Sequence, residues 1–183
     1  LAGYQFESFV SGYPKSEKVE EAYYLGAKSF AMLSPVYSLD QTDTYKAIGK
    51  LQDFIDRYPN SQYITDSNVT LKILTDKIEQ KVYENAKIYY TIGDYKAAIV
   101  ALELFSSENP GTKYKNDALF YKLDSCYELA IKSVPSKQEE RLLAAKTAYT
   151  NFVKYSSDSQ HKPKADEIAA NIDLELQKFS NIN

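Results

Sequence analysis

The sequence predicts an all-α fold made of repeated helical hairpins, and three observations support this prediction. The clearest hairpin lies in residues 83–112, where Gly93 interrupts one amphipathic helix and Pro110 ends the next. The second observation is a recurring spacing in which an alanine is followed after four, seven and twelve residues by a large residue, a phenylalanine and a proline. The third is residues 61–92, which contain neither glycine nor proline and keep apolar residues three and four apart.

The recurring spacing marks the second helix of each hairpin. It occurs in four sets, namely Ala2, Phe6, Phe9 and Pro14; Ala47, Leu51, Phe54 and Pro59; Ala98, Leu102, Phe105 and Pro110; and Ala145, Tyr149 and Phe152 with Ser157 in place of the proline. A small residue lets two helices approach closely, and this pattern resembles the tetratricopeptide repeat. We therefore predict one tetratricopeptide-like solenoid domain of about eight helices over residues 1–183, with units at about 1–15, 16–61, 62–112 and 113–159 and a cap at 160–183.

The first unit contains only the second helix of a hairpin, in residues 1–13. The matching first helix has no counterpart in the sequence, so we expect an N-terminally truncated array whose earlier part lies upstream. The next first helix is predicted in residues 20–30, where two acids fill the opening turn that the helix dipole favours.

The second unit contains an inserted loop at residues 34–41. Its two repeat alanines, Ala27 and Ala47, are eight residues further apart than Ala86 and Ala98 of the third unit. The loop residues Tyr37 and Leu39 are too apolar for a plain linker. The loop is therefore expected either to fold back on the solenoid or to contact a partner. Its candidate partner-binding residues are Tyr37, Leu39, Asp40 and Gln41.

Residues 61–92 predict one central helix of roughly 25 to 30 residues that connects the two halves of the chain. After it, residues 117–130 form a first helix, and Ser136 with Glu139 has the spacing of a capping box that begins its mate. A closing helix follows, because Ala165, Ile168, Ala169, Ile172 and Leu176 line one face and polar residues line the other. A polar outer face is what the last helix of a solenoid needs.

Composition excludes several classes of protein. The 44% hydrophobic content of the 183 residues predicts a folded domain rather than a disordered chain. The net charge of −3 arises from 22 basic and 25 acidic residues that are well mixed, so no basic field is available for nucleic acid or an anionic membrane. No apolar run approaches the roughly 20 residues that a membrane-spanning helix needs.

Catalytic, cofactor and metal sites are not expected. Cys126 is the one cysteine of the chain and His161 is its one histidine. The two residues lie far apart in the repeat register, so they cannot form a cluster of metal ligands. Cys126 lies on an apolar helix face and is expected to be an inert hydrophobe, whereas His161 is expected to be solvated. Ser159 is expected to stop a helix rather than act as a nucleophile, because it holds the same place as Ser16, Ser61 and Thr112.

A tyrosine followed four residues later by a lysine occurs at two equivalent first-helix positions, on the concave face of the predicted solenoid. Such a pair suits an extended peptide, because the ring offers apolar area and the ammonium group can bind a carboxylate. In the alternative, the tyrosines pack between helices and the lysines extend into solvent. The candidate protein-binding residues are Tyr24 and Lys28, Tyr83 and Lys87, Tyr90 one turn further on, and Tyr121 near the equivalent place in the fourth unit.

Three stretches resemble one particular family. They are SPVYSLDQTDT at 34–44, LQDFIDRYPNSQYITD at 51–66 and DYKAAIVALELFSSENPGTKYKNDALFY at 94–121. In this order, and with the Tyr-Pro-x-Ser helix stops at 13–16 and 58–61, they resemble the BamD family, a lipoprotein component of the bacterial machinery that assembles outer-membrane β-barrels.

The resemblance implies a non-enzymatic scaffold without cofactors, at the periplasmic face of the outer membrane. The implied membrane contact is a lipidated N-terminal cysteine that lies outside this sequence. The implied partners are a BamA-type insertase that docks on the later repeats, other lipoproteins of the machinery, and unfolded outer-membrane proteins. Two rival hypotheses are a general tetratricopeptide adaptor that binds peptide segments in its concave groove, and the non-catalytic repeat region of a larger enzyme.

Overall fold

A computed structural model describes residues 1–180 of the chain, and the regular secondary structure within them is entirely helical. The eight helices of this part are α1 (Ala2–Gly12), α2 (Val19–Ala31), α3 (Thr42–Arg57), α4 (Ile64–Thr91), α5 (Tyr95–Glu108), α6 (Lys115–Ile131), α7 (Pro135–Ser156) and α8 (Lys162–Ser180). The predicted all-α fold of helical hairpins is confirmed. Two compact units divide the chain, Leu1–Lys81 and the segment that begins at Val82.

The same hydroxyl turn precedes four of the helices. The side-chain oxygens of Ser16, Ser61, Thr112 and Ser159 each accept the backbone N–H of the residue two positions later, at 3.2, 3.2, 3.0 and 3.2 Å. These bonds hold the chain in a tight turn before α2, α4, α6 and α8. Ser159 therefore lies in the turn between α7 and α8, at the same place in the repeat as Ser16, Ser61 and Thr112.

The first unit packs α1 on α2 and α2 on α3, and Leu74 of α4 belongs to the core of the α2–α3 hairpin. Its core contains Ala27, Phe30, Ala47, Leu51 and Leu74, each at most 3% exposed. Helices α1 and α2 approach closely because each offers a glycine at their contact. A methyl group added at Gly3 would lie 2.9 Å from the ring of Phe30, which is closer than carbon atoms can pack.

The second unit has two neighbouring cores. The first forms between the end of α4, α5 and α6, where the predicted Ala98, Leu102 and Phe105 are at most 1% exposed. The second forms between α6, α7 and α8 and includes Ala145 and Phe152, both fully buried. The predicted apolar face of the closing helix lies in this core, where Ala165, Ile168 and Ile172 are buried and Leu176 is partly buried.

Helix α4 runs without interruption for 28 residues, in agreement with the predicted long central helix. It supplies Leu74 to the core of the first unit and Tyr83 to a core of the second. It ends before Gly93, whose φ of 79° is a left-handed conformation that glycine adopts without strain. The carboxylate of Asp94 then accepts the N–H of Ala97 at 3.1 Å and caps the start of α5.

The start of α7 differs from the prediction. The helix begins at Pro135, with Val134 as the N-cap residue and no hydrogen bond from a cap side chain. Proline is preorganised for the first helical position and lacks the N–H that would be unpaired there. Because the helix therefore starts before Ser136, this residue lies inside the first turn, and the predicted capping box of Ser136 with Glu139 is wrong.

Candidate protein-binding surfaces and family membership

The candidate pair of the first unit is built around a buried tyrosine. Tyr24 on α2 is 7% exposed, and its ring stacks on that of Tyr63 with centroids 4.3 Å apart and an interplanar angle of 7°. The ring of Phe54 lies 5.8 Å away on α3. Because Tyr63 follows the hydroxyl turn of Ser61, the turn fixes where the stacking ring lies.

The hydroxyl of Tyr24 lies in a closed polar network. It donates to Asp66 at 2.6 Å and accepts from Lys28 at 2.8 Å, while Lys28 also contacts Asp66 at 3.1 Å. The hydrogen bond from Tyr24, followed by that from Lys28, lowers the pKa of Asp66 from its ordinary value. Lys28 therefore already has a carboxylate partner, one that sequence analysis did not identify.

The candidate residues of the second unit lie together. Tyr83 is 2% exposed and stacks on Tyr114 with centroids 4.5 Å apart and an angle of 10°. Tyr90 lies 4.8 Å from Tyr121 between ring centroids, and its hydroxyl donates to Asp124 at 2.7 Å. Burial raises the pKa of both Tyr83 and Tyr90, so these phenols stay neutral at physiological pH.

Lys87 differs from Lys28 in its surroundings. Its ammonium group lies 5.7 Å from the ring centroid of Tyr83 and 5.0 Å from that of Tyr121. Within residues 1–180 Lys87 forms no salt bridge. In the second unit the lysine of the candidate pair therefore lies beside two aromatic rings, whereas in the first unit it lies beside a carboxylate.

A third aromatic stack corrects the expectation for His161. Its side chain is 19% exposed rather than solvated, and its ring lies 4.3 Å from that of Phe120 at an angle of 6°. The Nε2 atom lies 2.6 Å from Asp117. A sequence signal for this position existed, because His161 follows Ser159 at the same distance at which Tyr63 and Tyr114 follow their own hydroxyl turns.

The inserted loop between α2 and α3 folds back on the first unit, which was one of its two predicted alternatives. Gln41 is 4% exposed, and its Nε2 donates to the backbone oxygens of Val36 and Leu39 at 2.8 and 2.9 Å. Its Oε1 accepts from Thr44 at 2.7 Å. Lys81 of α4 also donates to the oxygen of Leu39. Gln41 is therefore a structural residue that holds the loop.

The outer side of the loop is apolar and exposed. Leu39 is 57% exposed, and Asp40 uses its carboxylate to accept the N–H of Thr42 at 2.9 Å, while Tyr37 is half-buried. Hydrogen bonds from Thr42 lower the pKa of Asp40. Sequence analysis missed three further apolar residues on this surface, namely Met32, Leu33 and Val36, which are 82, 52 and 62% exposed.

The remaining candidate for chemistry, Cys126, is buried in the α6–α7–α8 core, and burial raises the pKa of its thiol to about 11. The expectation of an inert thiol agrees with this environment. Residues 1–180 contain no group of three metal-binding side chains. None of the helices described here is both long enough and apolar enough to cross a membrane.

Comparison with known proteins adds three findings. The profile of the family YfiO, described as an outer membrane lipoprotein, matches residues 1–143. The chain is 28% identical over 114 residues to an outer membrane protein assembly factor BamD of Caulobacter vibrioides, a match that covers 62% of this chain and 37% of that protein. It is 26% identical over 123 residues to a BamD of Rickettsia prowazekii, which covers 67% of this chain and 49% of that protein.

The chain thus spans less than half the length of either relative. The family profile, in contrast, covers both helices of the α2–α3 hairpin, the inserted loop, all of α4, α5 and α6, and the beginning of α7. A match over more than half of the 183 residues identifies the family, and the suspected resemblance is confirmed. The chain belongs to the YfiO family of outer membrane lipoproteins, the family that includes the BamD proteins.

Proposed function

We propose that this chain is the repeat region of a non-enzymatic scaffold in the machinery that assembles outer-membrane β-barrel proteins. The observation that carries the proposal is the family match over residues 1–143, together with two relatives named outer membrane protein assembly factor. The scaffold acts at the periplasmic face of the outer membrane and is held there by a lipid anchor on the full-length protein. Its main partner is a BamA-type insertase.

The helical hairpins suit a scaffold because stacked helical repeats present extended surfaces to which partner proteins can bind. The exposed apolar side of the inserted loop, formed by Met32, Leu33, Val36 and Leu39, is a contact surface for a folded partner. Other lipoproteins of the machinery and unfolded outer-membrane proteins are further partners that such a scaffold would bind.

A second candidate function, a peptide adaptor, is favoured by one specific observation. Lys87 lies between the rings of Tyr83 and Tyr121 and has no carboxylate partner within the described residues. A peptide segment with an aromatic side chain and a carboxylate fits this arrangement, since the rings offer apolar area and the ammonium group offers a charge-assisted hydrogen bond. Tyr90 extends the same surface through its contact with Tyr121.

The test of the scaffold proposal is affinity capture with the full-length protein from detergent-solubilised outer membranes, followed by mass spectrometry. We expect to recover the β-barrel insertase in stoichiometric amounts. Replacement of Leu39 by Ser in the same protein should reduce the recovered insertase if the loop is a contact surface. Failure to recover an insertase under conditions in which the complex of a known relative survives would count decisively against the scaffold proposal.

A further inference from the structure

The second unit has an open apolar groove between α5 and the part of α4 that follows Val82. The groove has a volume of about 420 Å³ and is lined by Val82, Asn85 and Tyr89 of α4 and by Ala101, Leu104 and Glu108 of α5. Val82, Tyr89 and Leu104 are 39, 41 and 55% exposed, which is high for large apolar side chains that lie next to one another. We call this surface the α4–α5 groove.

The repeat register shows what the α4–α5 groove corresponds to in the first unit. Aligning Tyr83 with Tyr24, and Ala98 with Ala47, maps the groove onto one side of the α2–α3 hairpin. The lining residues Val82, Asn85 and Tyr89 then correspond to Tyr23, Gly26 and Phe30, and Ala101, Leu104 and Glu108 correspond to Lys50, Asp53 and Arg57.

In the first unit a helix covers this side of the hairpin. Helix α1 lies on α2 so closely that a methyl group at Gly26 would be 3.1 Å from the Cβ of Phe6. On the α3 side, Glu7 of α1 forms a salt bridge of 2.6 Å with Lys50. The helix that covers the hairpin therefore combines apolar residues with one charge that complements the hairpin beneath it.

In the second unit a helix covers the corresponding side of the α6–α7 hairpin. Ile99 of α5 packs on the α6–α7–α8 core, and Glu103 of α5 forms a salt bridge with Lys122 of α6. In the register, Lys122 occupies the place of Gly26 in the first unit and of Asn85 in the groove. The α2–α3 and α6–α7 hairpins thus each bury this side beneath an amphipathic helix. In both cases an acidic residue of that helix forms a salt bridge with a lysine of the hairpin.

The α4–α5 groove has no such cover within the described part of its own unit, and its charge is reversed. The position of Lys50 is an alanine, Ala101, and the position of Arg57 is an acid, Glu108. We propose that this groove is an interaction site for an amphipathic α-helix of a partner protein, which lies as α1 and α5 lie on their hairpins and directs a basic residue toward Glu108. The inference holds independently of the assembly role.

The probe for the test is a labelled peptide with the sequence of α1, stapled on its outer face to keep it helical. The peptide carries Glu7→Ala, because Glu7 pairs with Lys50 in the first unit and the groove has no lysine at that position. It also carries Ser11→Lys. Ser11 lines the same cavity as Arg57, and in the groove the position of Arg57 is occupied by Glu108. A second peptide carries Ser11→Glu instead. Fluorescence anisotropy with the whole chain measures the affinity of each peptide.

We expect the basic peptide to bind about fivefold more tightly than the acidic one, as one partly exposed ion pair predicts. Glu108→Lys should reverse this preference. Leu104→Glu should weaken both peptides by about tenfold or more, since it places a charge in an apolar contact. The matched control Leu143→Glu, at a residue of α7 that is 51% exposed, should leave both affinities unchanged.

Three results would overturn the proposal. The first is the absence of saturable binding, and the second is an equal loss of affinity in the Leu104→Glu and Leu143→Glu variants. The third is self-association in sedimentation velocity that Leu104→Glu abolishes, because the occupant would then be a second copy of the chain. Retention of the wild-type helical circular dichroism by each variant ensures that the affinities report on the groove.

Discussion

The imidazole of His161 lies parallel to the ring of Phe120, with centroids 4.3 Å apart and an angle of 6°. The same stack is formed by Tyr63 on Tyr24 and by Tyr114 on Tyr83, at 4.3 and 4.5 Å. In each case the second ring follows a hydroxyl turn by two residues. The stack is therefore a repeated element that ties the start of one helix to the hairpin before it.

This relationship predicts a graded response at His161. His161→Ala removes the stacked ring and the contact with Asp117 and should lower the free energy of unfolding by about 1 to 2 kcal/mol. His161→Tyr restores the ring found in the other two stacks and should recover most of the loss. Chemical unfolding followed by circular dichroism measures both values. Equal destabilisation by the two variants would show that the ring stack does not contribute to the free energy of unfolding.

The buried alanine of the central hairpin predicts an overpacking effect. Ala98 is fully buried between helices, so Ala98→Leu should push them apart and cost roughly 1 to 3 kcal/mol of stability. Ala144→Leu is the matched control, because the same change is made at an exposed position of α7. Thermal unfolding compares the two variants. An unchanged melting temperature in Ala98→Leu would contradict the close helix contact.

These two sites illustrate what the sequence could and could not predict. The buried Ala98 was predictable, because a small residue at a fixed distance from a helix-ending proline reports on local packing. The environment of His161 was mispredicted, although its place after Ser159 matched that of Tyr63. The network of Tyr24 with Asp66 was not predictable, because the two residues are 42 positions apart and meet only when the hairpins stack.

The polar network of the first unit predicts a dependence of stability on pH. The pKa of Asp66 is lowered from 3.8 by the hydrogen bonds of Tyr24 and Lys28. A lowered folded-state pKa adds stability above the unfolded-state value, and this contribution is lost as the pH falls through the folded-state value. Asp66→Asn should therefore flatten the acid side of the stability profile, measured by urea unfolding below about pH 5.

The control for this experiment is Asp53→Asn, which removes the same charge from an exposed site on α3. It should preserve the wild-type slope of stability against pH. If both variants flatten the profile to the same extent, the effect arises from net charge and not from the network around Tyr24.

The unequal surroundings of the two lysines predict unequal effects on peptide binding. Lys28 is paired with Asp66, whereas Lys87 faces the rings of Tyr83 and Tyr121. With a labelled extended peptide that contains one phenylalanine and one aspartate, Lys87→Glu should weaken binding by about tenfold, the cost of one charge-assisted contact. Lys28→Glu should change the affinity much less. Equal losses in the two variants would favour a general effect of charge.

The inserted loop predicts that substitutions at its buried glutamine and at its exposed leucine affect loop stability differently. Gln41→Ala removes the two hydrogen bonds that the Gln41 amide donates to the backbone oxygens of Val36 and Leu39, at a cost of about 1 to 3 kcal/mol. Hydrogen exchange in residues 32–41 should become faster. Leu39→Ser, at a side chain that is 57% exposed, should leave exchange unchanged. Fast exchange in the Leu39→Ser variant would show that the apolar residues also hold the loop.

Helix α4 limits which insertions and deletions the family can accept. Tyr24 lies eight residues after its hydroxyl turn, but Tyr83 lies 22 residues after Ser61, a difference of fourteen. Fourteen residues are close to four helical turns, so this extra length changes the direction of Tyr83 about the axis of α4 by only about 40°. In the second unit Tyr83 contacts Tyr114 and Tyr90 contacts Tyr121, and removing a single residue between Tyr83 and Tyr90 would turn one by about 100° about the helix axis relative to the other. Length changes in the part of α4 that contains Tyr83 and Tyr90 should therefore be inherited in blocks of whole turns.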